Sequence, residues 1–228
     1  MTKICAFGDS VLKGIVLDND KYKISKNNFS NICKNTLGIY IENKAKFGST
    51  ILVGEKSLIK NFNGLENADY VVFEFGGNDC DFNWKEISEN PGIEHTPNST
   101  IEDFTNIYTD LINKIKEIGK KPVLLSLPPI DAEKYFKKIS ENLNSENILK
   151  WMEGNIQFIV NWHERYNIEV FKLAINNNVP IIDITSKFLE HKNYSQFLCE
   201  DGIHPNEAGH EIIAKAIKEH IELKNIIL

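Results

Sequence analysis

A serine, an asparagine and an aspartate–histidine pair stand in segments that together could carry out acyl transfer. Ser10 closes Gly8-Asp9-Ser10, Asn78 lies in Gly76-Gly77-Asn78-Asp79, and Asp201 precedes His204 by three residues in Asp201-Gly202-Ile203-His204-Pro205. A serine hydroxyl is a poor nucleophile at neutral pH and needs a base within hydrogen-bond reach as its bond to a carbonyl forms. An imidazole can accept a proton at one nitrogen while donating from the other. Asp201 is near enough in sequence to accept the second N–H of His204 and fix its tautomer. Taken singly, each segment has an ordinary structural use: Gly-Asp-Ser and Gly-Gly-Asn-Asp as turns, and Asp201–His204 as the lead-in to a helix with Asn206 as cap. Their joint order along the chain is what points to chemistry.

Such residues act only if the chain folds them together, and the apolar patterning says how. Short apolar runs suited to buried parallel strands occur at Thr2–Phe7, Ile39–Ala45, Tyr70–Phe75, Val123–Leu127 and Val179–Ile184. Helical patterns lie between them. Ile101, Phe104, Tyr108, Leu111, Ile112, Ile115 and Ile118 recur at spacings of three and four, and Gly119 follows as a stop. A less regular helix is predicted from Ile156 to Ala174, and a last one from about Asn206, with Ile212, Ile213, Ala216 and Ile217 on one face. Strands alternating with helices imply a parallel sheet covered on both faces, a three-layer α/β/α sandwich with five strands. No repeat, linker or shift in composition divides the chain, so residues 1–228 read as one domain.

Ligands of such sheets collect at the carboxyl ends of the strands. Gly8-Asp9-Ser10, Phe47-Gly48-Ser49 and Gly76–Asp79 follow the first, second and third apolar runs. Two connections are long, Cys80–Thr100 and Pro128–Asn155; either they cover or shape a site, or they contain short helices of their own.

Taken together, FGDS at Phe7–Ser10, the lone Gly48, GGND at Gly76–Asp79 and DGIHP at Asp201–Pro205 resemble, in order and spacing, the four conserved blocks of the GDSL/SGNH hydrolase family. The chain departs from the family pattern at Val11, where the family name has leucine. The resemblance implies a flavodoxin-like sandwich over nearly the whole chain and a serine esterase with Ser10 as nucleophile, His204 as base and Asp201 completing the triad. It further implies an oxyanion hole from the backbone N–H groups of Ser10 and Gly48 and the side-chain amide of Asn78. Physical chemistry agrees: the developing negative charge needs pre-aimed donors, and Asn78 suits that task where the neighbouring carboxylate of Asp79 would repel it. The resemblance assigns Asp79 a mainly structural part.

The remaining residues set the boundaries of this reading. A formal charge of −6, with 26 Lys and Arg residues against 32 Asp and Glu, offers no field to hold a phosphate backbone, so nucleic acid is not expected as a partner. The apolar start is about five residues long, short of a signal-peptide core, and no stretch approaches the roughly 18 apolar residues of a membrane span. A cytoplasmic protein with four reduced thiols (Cys5, Cys33, Cys80 and Cys199) and no membrane insertion is expected. His95, His163, His191 and His220 show no metal-ligand spacing, His210 reads as a packing residue, and neither metal nor cofactor is expected.

Trp84 and Trp151 fall in the two long connections and are candidates for lining the substrate pocket. The density of charge and amide groups in these connections predicts a shallow polar cleft and a small acyl group, acetyl above all, on a sugar-like alcohol. A non-hydrolytic flavodoxin-like binding protein is the alternative from another class, although Gly8–Gly14 lacks a phosphate loop and offers an acidic Asp9 where phosphate would approach. A lysophospholipase or thioesterase is the alternative within the fold.

Overall fold

The computed structural model describes residues 2–223. Its centre is a parallel sheet of five strands: β1 (Lys3–Gly8), β4 (Tyr40–Asn43), β5 (Tyr70–Glu74), β6 (Lys121–Leu125) and β7 (Ile181–Ile182). They lie side by side in the order β4-β1-β5-β6-β7. Counting only these five, the order is 2-1-3-4-5, the flavodoxin-like arrangement, with its switch point at β1 between β4 and β5. All five coincide with the apolar runs read from sequence, with ends shifted by no more than two residues. The edge strand β7 is the shortest, at two residues.

Side chains alternate across a strand, so each inner strand feeds two cores. On β6, Leu124 joins Phe7, Phe73, Leu111, Ile112 and Val170 on one face. Val123 and Leu125 join Ala6, Phe29, Ile213 and Ile217 on the other. Helices α3 (Ile51–Asn61), α5 (Ile101–Glu117) and α8 (Gln157–Asn176) cover the first face; α2 (Phe29–Leu37), α9 (Thr185–Leu189) and α10 (Glu207–Leu223) cover the second. The helix α5 follows its sequence pattern closely. Thr100 caps it by accepting from the Asp103 N–H, Glu102 and Asp103 face the positive end of its dipole, and Gly119 follows at φ +71°. Phe104, Tyr108, Leu111, Ile112 and Ile115 are fully buried, and each such aliphatic or phenyl side chain contributes about 1.5–3 kcal/mol. Ile118, read as part of the same stripe, lies past the helix end and is exposed.

Two features were not legible at this level. A short helix α1 (Ser10–Lys13) follows β1, and a two-stranded antiparallel hairpin, β2 (Ile15–Asp18) and β3 (Lys21–Ile24), stands outside the main sheet. Asn19 and Asp20 both take positive φ at its tip, as a tight turn matched to strand twist requires. The long connections are helical: α4 (Trp84–Glu89) in the first, α6 (Ala132–Ile139) and α7 (Ser145–Trp151) in the second. Their apolar residues, with Ile159 of α8, form a third core of Phe82, Trp84, Ile87, Ile130, Tyr135, Ile148 and Met152. This corrects the expected shallow polar cleft: most of the charged and amide groups face outward, Asp81 being turned in to accept from Trp84 and Tyr135, and the isolated aromatics of the sequence meet one another.

Candidate active site

Ser10 is the first residue of α1, directly after β1. The sharp exit depends on Gly8, where a Cβ would stand 2.6 Å from the Glu74 carbonyl oxygen. Asp9 caps the new helix, its Oδ1 accepting the Val11 N–H at 2.8 Å. His204 comes from the loop before α10, held by a Cys199 N–H to His204 carbonyl bond of 2.8 Å and a bridge between Leu198 and Pro205. The loop turns at Gly202 with φ +74°, where an added Cβ would also meet the backbone of Asp131 at 2.8 Å.

These elements bring together residues 194 apart in sequence. His204 Nε2 lies 2.8 Å from Ser10 Oγ, and His204 Nδ1 lies 2.7 Å from Asp201 Oδ2. Burial pushes the Asp201 carboxyl up, but hydrogen bonds from the His204 ring and from the backbone N–H groups of His204 and Ile203 outweigh it and hold the carboxyl below its ordinary range. An ionised Asp201 accepts a hydrogen bond from Nδ1–H and so fixes the tautomer, which leaves Nε2 free to accept from the Ser10 hydroxyl. The arrangement can move a proton from Ser10 to His204 while Asp201 stabilises the imidazolium.

The three donors expected for an oxyanion border the same pocket: Ser10, Gly48 and Asn78. Among the described residues no acceptor is bonded to the N–H of Ser10 or of Gly48. Gly48 is needed for its backbone, with φ +68°, whereas a Cβ there would meet open space. Asn78 Nδ2 donates one hydrogen to Asp9 Oδ2 at 2.9 Å, which orients the amide and leaves its second hydrogen available.

A buried acid pair lies behind these donors. Glu74 is fully buried at the end of β5, and its Oε2 receives the Asp9 and Leu12 N–H groups at 3.4 and 3.3 Å. Burial and the adjoining Asp9 carboxylate push Glu74 well above the ordinary carboxyl range. Burial raises the Asp9 carboxyl too, but bonds from the Val11 N–H and the Asn78 amide act against it, so a proton shared by the pair sits on Glu74 and Asp9 keeps the form that accepts from both. The neighbouring Asp79 does something else. Its two oxygens take the Ile51 N–H at the start of α3, at 2.9 and 3.1 Å, and Oδ1 also takes the Ser99 hydroxyl at 2.6 Å. It caps a helix whose own N-cap residue, Thr50, makes no side-chain bond.

The pocket in front of Ser10 has a volume of about 220 Å³. Tyr22 of the hairpin and Phe47 flank its histidine, with ring centroids 5.2 and 5.9 Å from His204, and are 39% and 54% exposed. Burial and the nearby Asp201 carboxylate raise the Tyr22 phenol to about 12. Trp84 lines the pocket, as expected. Trp151 packs behind, edge-on to Phe82 and Trp84 with centroids 5.0 and 6.1 Å away. Sequence reasoning missed the rest of the wall: Tyr22, Phe47, Phe82, Tyr135, Trp162 and His163. For α8 a signal existed, since Ile159, His163, Tyr166 and Val170 recur at helical spacing and are buried. For the hairpin it was Asn19-Asp20 between two short alternating runs.

Other expectations resolve simply. The Cys80 thiol is buried beside Asp79 and Asp81 and held well above its ordinary range, so it stays protonated. His210 is fully buried and stacked on Phe29 at 5.8 Å. No helix among the described residues is long and apolar enough to cross a membrane.

The model of the GDSL-like Lipase/Acylhydrolase family matches residues 4–217. In sequence, the chain is 24% identical over 230 residues to YpmR, an uncharacterized protein of Bacillus subtilis (strain 168), covering 98% of this chain and 82% of that protein. Its fold is similar to that of a lipase/acylhydrolase from Enterococcus faecalis, with a TM-score of 0.70, 22% identity, and coverage of 98% of this chain and 97% of that one. It is also similar to a catalytic mutant of Axe2, an acetylxylan esterase from Geobacillus stearothermophilus, with a TM-score of 0.63, 19% identity, and coverage of 96% and 94%. With a family match that runs from β1 into α10 and takes in Ser10, Gly48, Asn78, Asp201 and His204, the chain belongs to the GDSL-like lipase/acylhydrolase family.

Proposed function

We propose that the chain hydrolyses carboxylic esters through an acyl-enzyme. Ser10 Oγ attacks the ester carbonyl while His204 Nε2 takes its proton, and Asp201 stabilises the imidazolium. The carbonyl oxygen, now an anion, accepts from the Ser10 and Gly48 N–H groups and from the second Asn78 amide hydrogen. As the tetrahedral intermediate collapses, His204 returns the proton to the leaving alcohol and the acyl group remains on Ser10. Water then attacks the acyl-enzyme with His204 again as base, releasing the acid and restoring the serine. One observation carries this reading: Ser10 Oγ and Asp201 are hydrogen-bonded to opposite nitrogens of His204, at 2.8 and 2.7 Å, beside two unbonded backbone N–H groups.

The acyl group proposed is short, acetyl in the first place. The polarity of the long connections no longer supports this, because their apolar residues are packed together. Pocket size does: a volume of about 220 Å³ lies below the roughly 300–1,000 Å³ of pockets that enclose a drug-sized ligand, and so favours a small acyl group over a long chain. The presence of acetylxylan esterases among proteins of similar fold agrees with it. The test of the reaction is a serine-directed organophosphonate followed by mass mapping. Its mass is expected on Ser10 and abolished in His204→Ala, with parallel loss of p-nitrophenyl acetate hydrolysis; labelling at another serine would redirect the assignment.

A further inference from the structure

The pocket wall contains one imidazole that the proposed reaction does not use. His163, on α8, is 5% exposed and lines the same pocket as Ser10 and His204. Among the described residues no hydrogen bond reaches either of its ring nitrogens, and burial alone acts on it, lowering it to about 4. It is therefore a neutral imidazole at physiological pH, with one donor and one acceptor to offer.

The polar groups around it are already taken. Trp162 Nε1 donates to the Cys80 carbonyl at 2.9 Å, and Trp84 Nε1 and the Tyr135 hydroxyl both donate to Asp81 Oδ1, at 2.7 and 2.8 Å. The Cys80 thiol bonds the Gly77 carbonyl at 3.2 Å. An aromatic wall with its donors satisfied presents only ring faces and edges, so it selects for a flat apolar body without orienting it. A single unpaired imidazole in such a wall adds the orienting contact, as is usual where a few polar groups punctuate an apolar pocket. A buried polar group without a partner is also costly, which makes a ligand that completes it favoured over one that does not.

We infer that His163 is a specificity-determining residue for the alcohol half of the substrate, and that this half is an uncharged, ring-bearing alcohol with a hydroxyl or carbonyl group that hydrogen-bonds His163. The inference rests on the proposed reaction with a short acyl group, since that leaves most of the pocket for the alcohol. A carboxylate in the same place would meet a neutral imidazole in a pocket walled by Asp9 and Asp81.

The experiment compares the acetate esters of 2-phenylethanol and 2-(4-hydroxyphenyl)ethanol, which share the acyl group, have leaving alcohols of near-equal basicity and differ in one remote hydroxyl. For the wild type, kcat/KM is expected to favour the hydroxylated ester by about tenfold. The ratio should fall to near one in His163→Leu and in His163→Met, two apolar replacements checked for folding by circular dichroism. His163→Gln, which keeps a donor and an acceptor, should retain part of it. Calorimetric binding of the two free alcohols to Ser10→Ala protein gives the same comparison without turnover. A wild type with no hydroxyl preference in either assay, or a preference that survives in a folded apolar variant, overturns the inference. If the binding preference depends on His163 but no ester is cleaved, the subsite stands and the esterase reading fails.

Discussion

Asp9 Oδ2 accepts the Asn78 side-chain amide at 2.9 Å, so the residue next to the nucleophile also aims the amide proposed to bind the oxyanion. One carboxylate thereby fixes two parts of the site, because its other oxygen caps α1 and sets the position of Ser10. Asp9→Asn can keep one of these bonds but not both, since an amide has a single accepting oxygen. We expect kcat for p-nitrophenyl acetate to drop by about 10–100-fold with a smaller change in KM, the pattern of a lost transition-state contact. A change confined to KM would separate Asp9 from Asn78.

Ser10→Ala and His204→Ala should each lower turnover by several orders of magnitude, and the double variant should be little worse than either, because the two act as one unit. Steady-state kinetics of the three folded proteins provide the check. A Ser10→Ala protein retaining a tenth of wild-type turnover would refute the nucleophile.

Asn78 and Asp79 are neighbours with different partners, and their substitutions should separate. Asn78→Ala is expected to cost roughly 10²–10³ in kcat with little effect on melting. Asp79→Ala removes the acceptor for the Ile51 N–H and the Ser99 hydroxyl, and should lower stability by at least the 1–2 kcal/mol, roughly, of a lost helix cap. Thermal and denaturant unfolding alongside kinetics would show the split; the reverse pattern would exchange the roles.

Stability between about pH 4 and 6.5 is set by opposing groups. Burial lowers His163 and His210 from the ordinary 6.5 to about 4, so the unfolded chain binds more protons in this window and stability is lost as pH falls. Burial raises Asp79 from 3.8 to about 6, so there the folded state binds the extra proton and stability is lost as pH rises. Glu74, held well above the ordinary carboxyl range, acts in the same direction as Asp79, so the buried acids and the two histidines oppose one another across the window. His210→Gln removes one contribution that favours the higher pH, and in a protein that still folds it should make the denaturant midpoint at pH 6.5 fall relative to that at pH 4, compared with the wild type. A difference between the two midpoints that the substitution leaves unchanged would separate His210 from the pH dependence.

Among p-nitrophenyl acetate, butyrate, octanoate and palmitate, kcat/KM is expected to peak at acetate or butyrate and to be lowest for palmitate. A maximum at octanoate or beyond would mean that the chain extends past the enclosed volume, against the short-acyl proposal.

The sheet and its covering helices were readable because burial on two faces leaves unbroken apolar runs, as at Tyr70–Glu74, and burial on one leaves a 3.6-residue stripe, as at Phe104–Ile115. Ser10, Gly48, Asn78, Asp201 and His204 were readable because each sits at an element end marked by glycine or proline. The wall opposite them was not. Phe82, Trp84 and Tyr135 come from the two long connections, whose helices are short, so no periodicity announces that they will meet Trp162 of the longer α8. The polar residues that dominate those segments in sequence are turned to solvent, and counting them gave the wrong surface for the pocket. His163 was hidden for another reason: a histidine on a buried helix face looks the same in sequence whether or not it finds a partner.

The 194-residue separation between Ser10 and His204 also has a consequence for how the protein comes into being. Ser10 leaves the ribosome 194 residues ahead of His204, so a nascent chain can lay down β1, β5 and β6 before the two side chains can meet. A chain that stops short of residue 204 lacks the proposed base, so under the proposed reaction turnover reports chains that have docked the loop carrying His204 against Ser10.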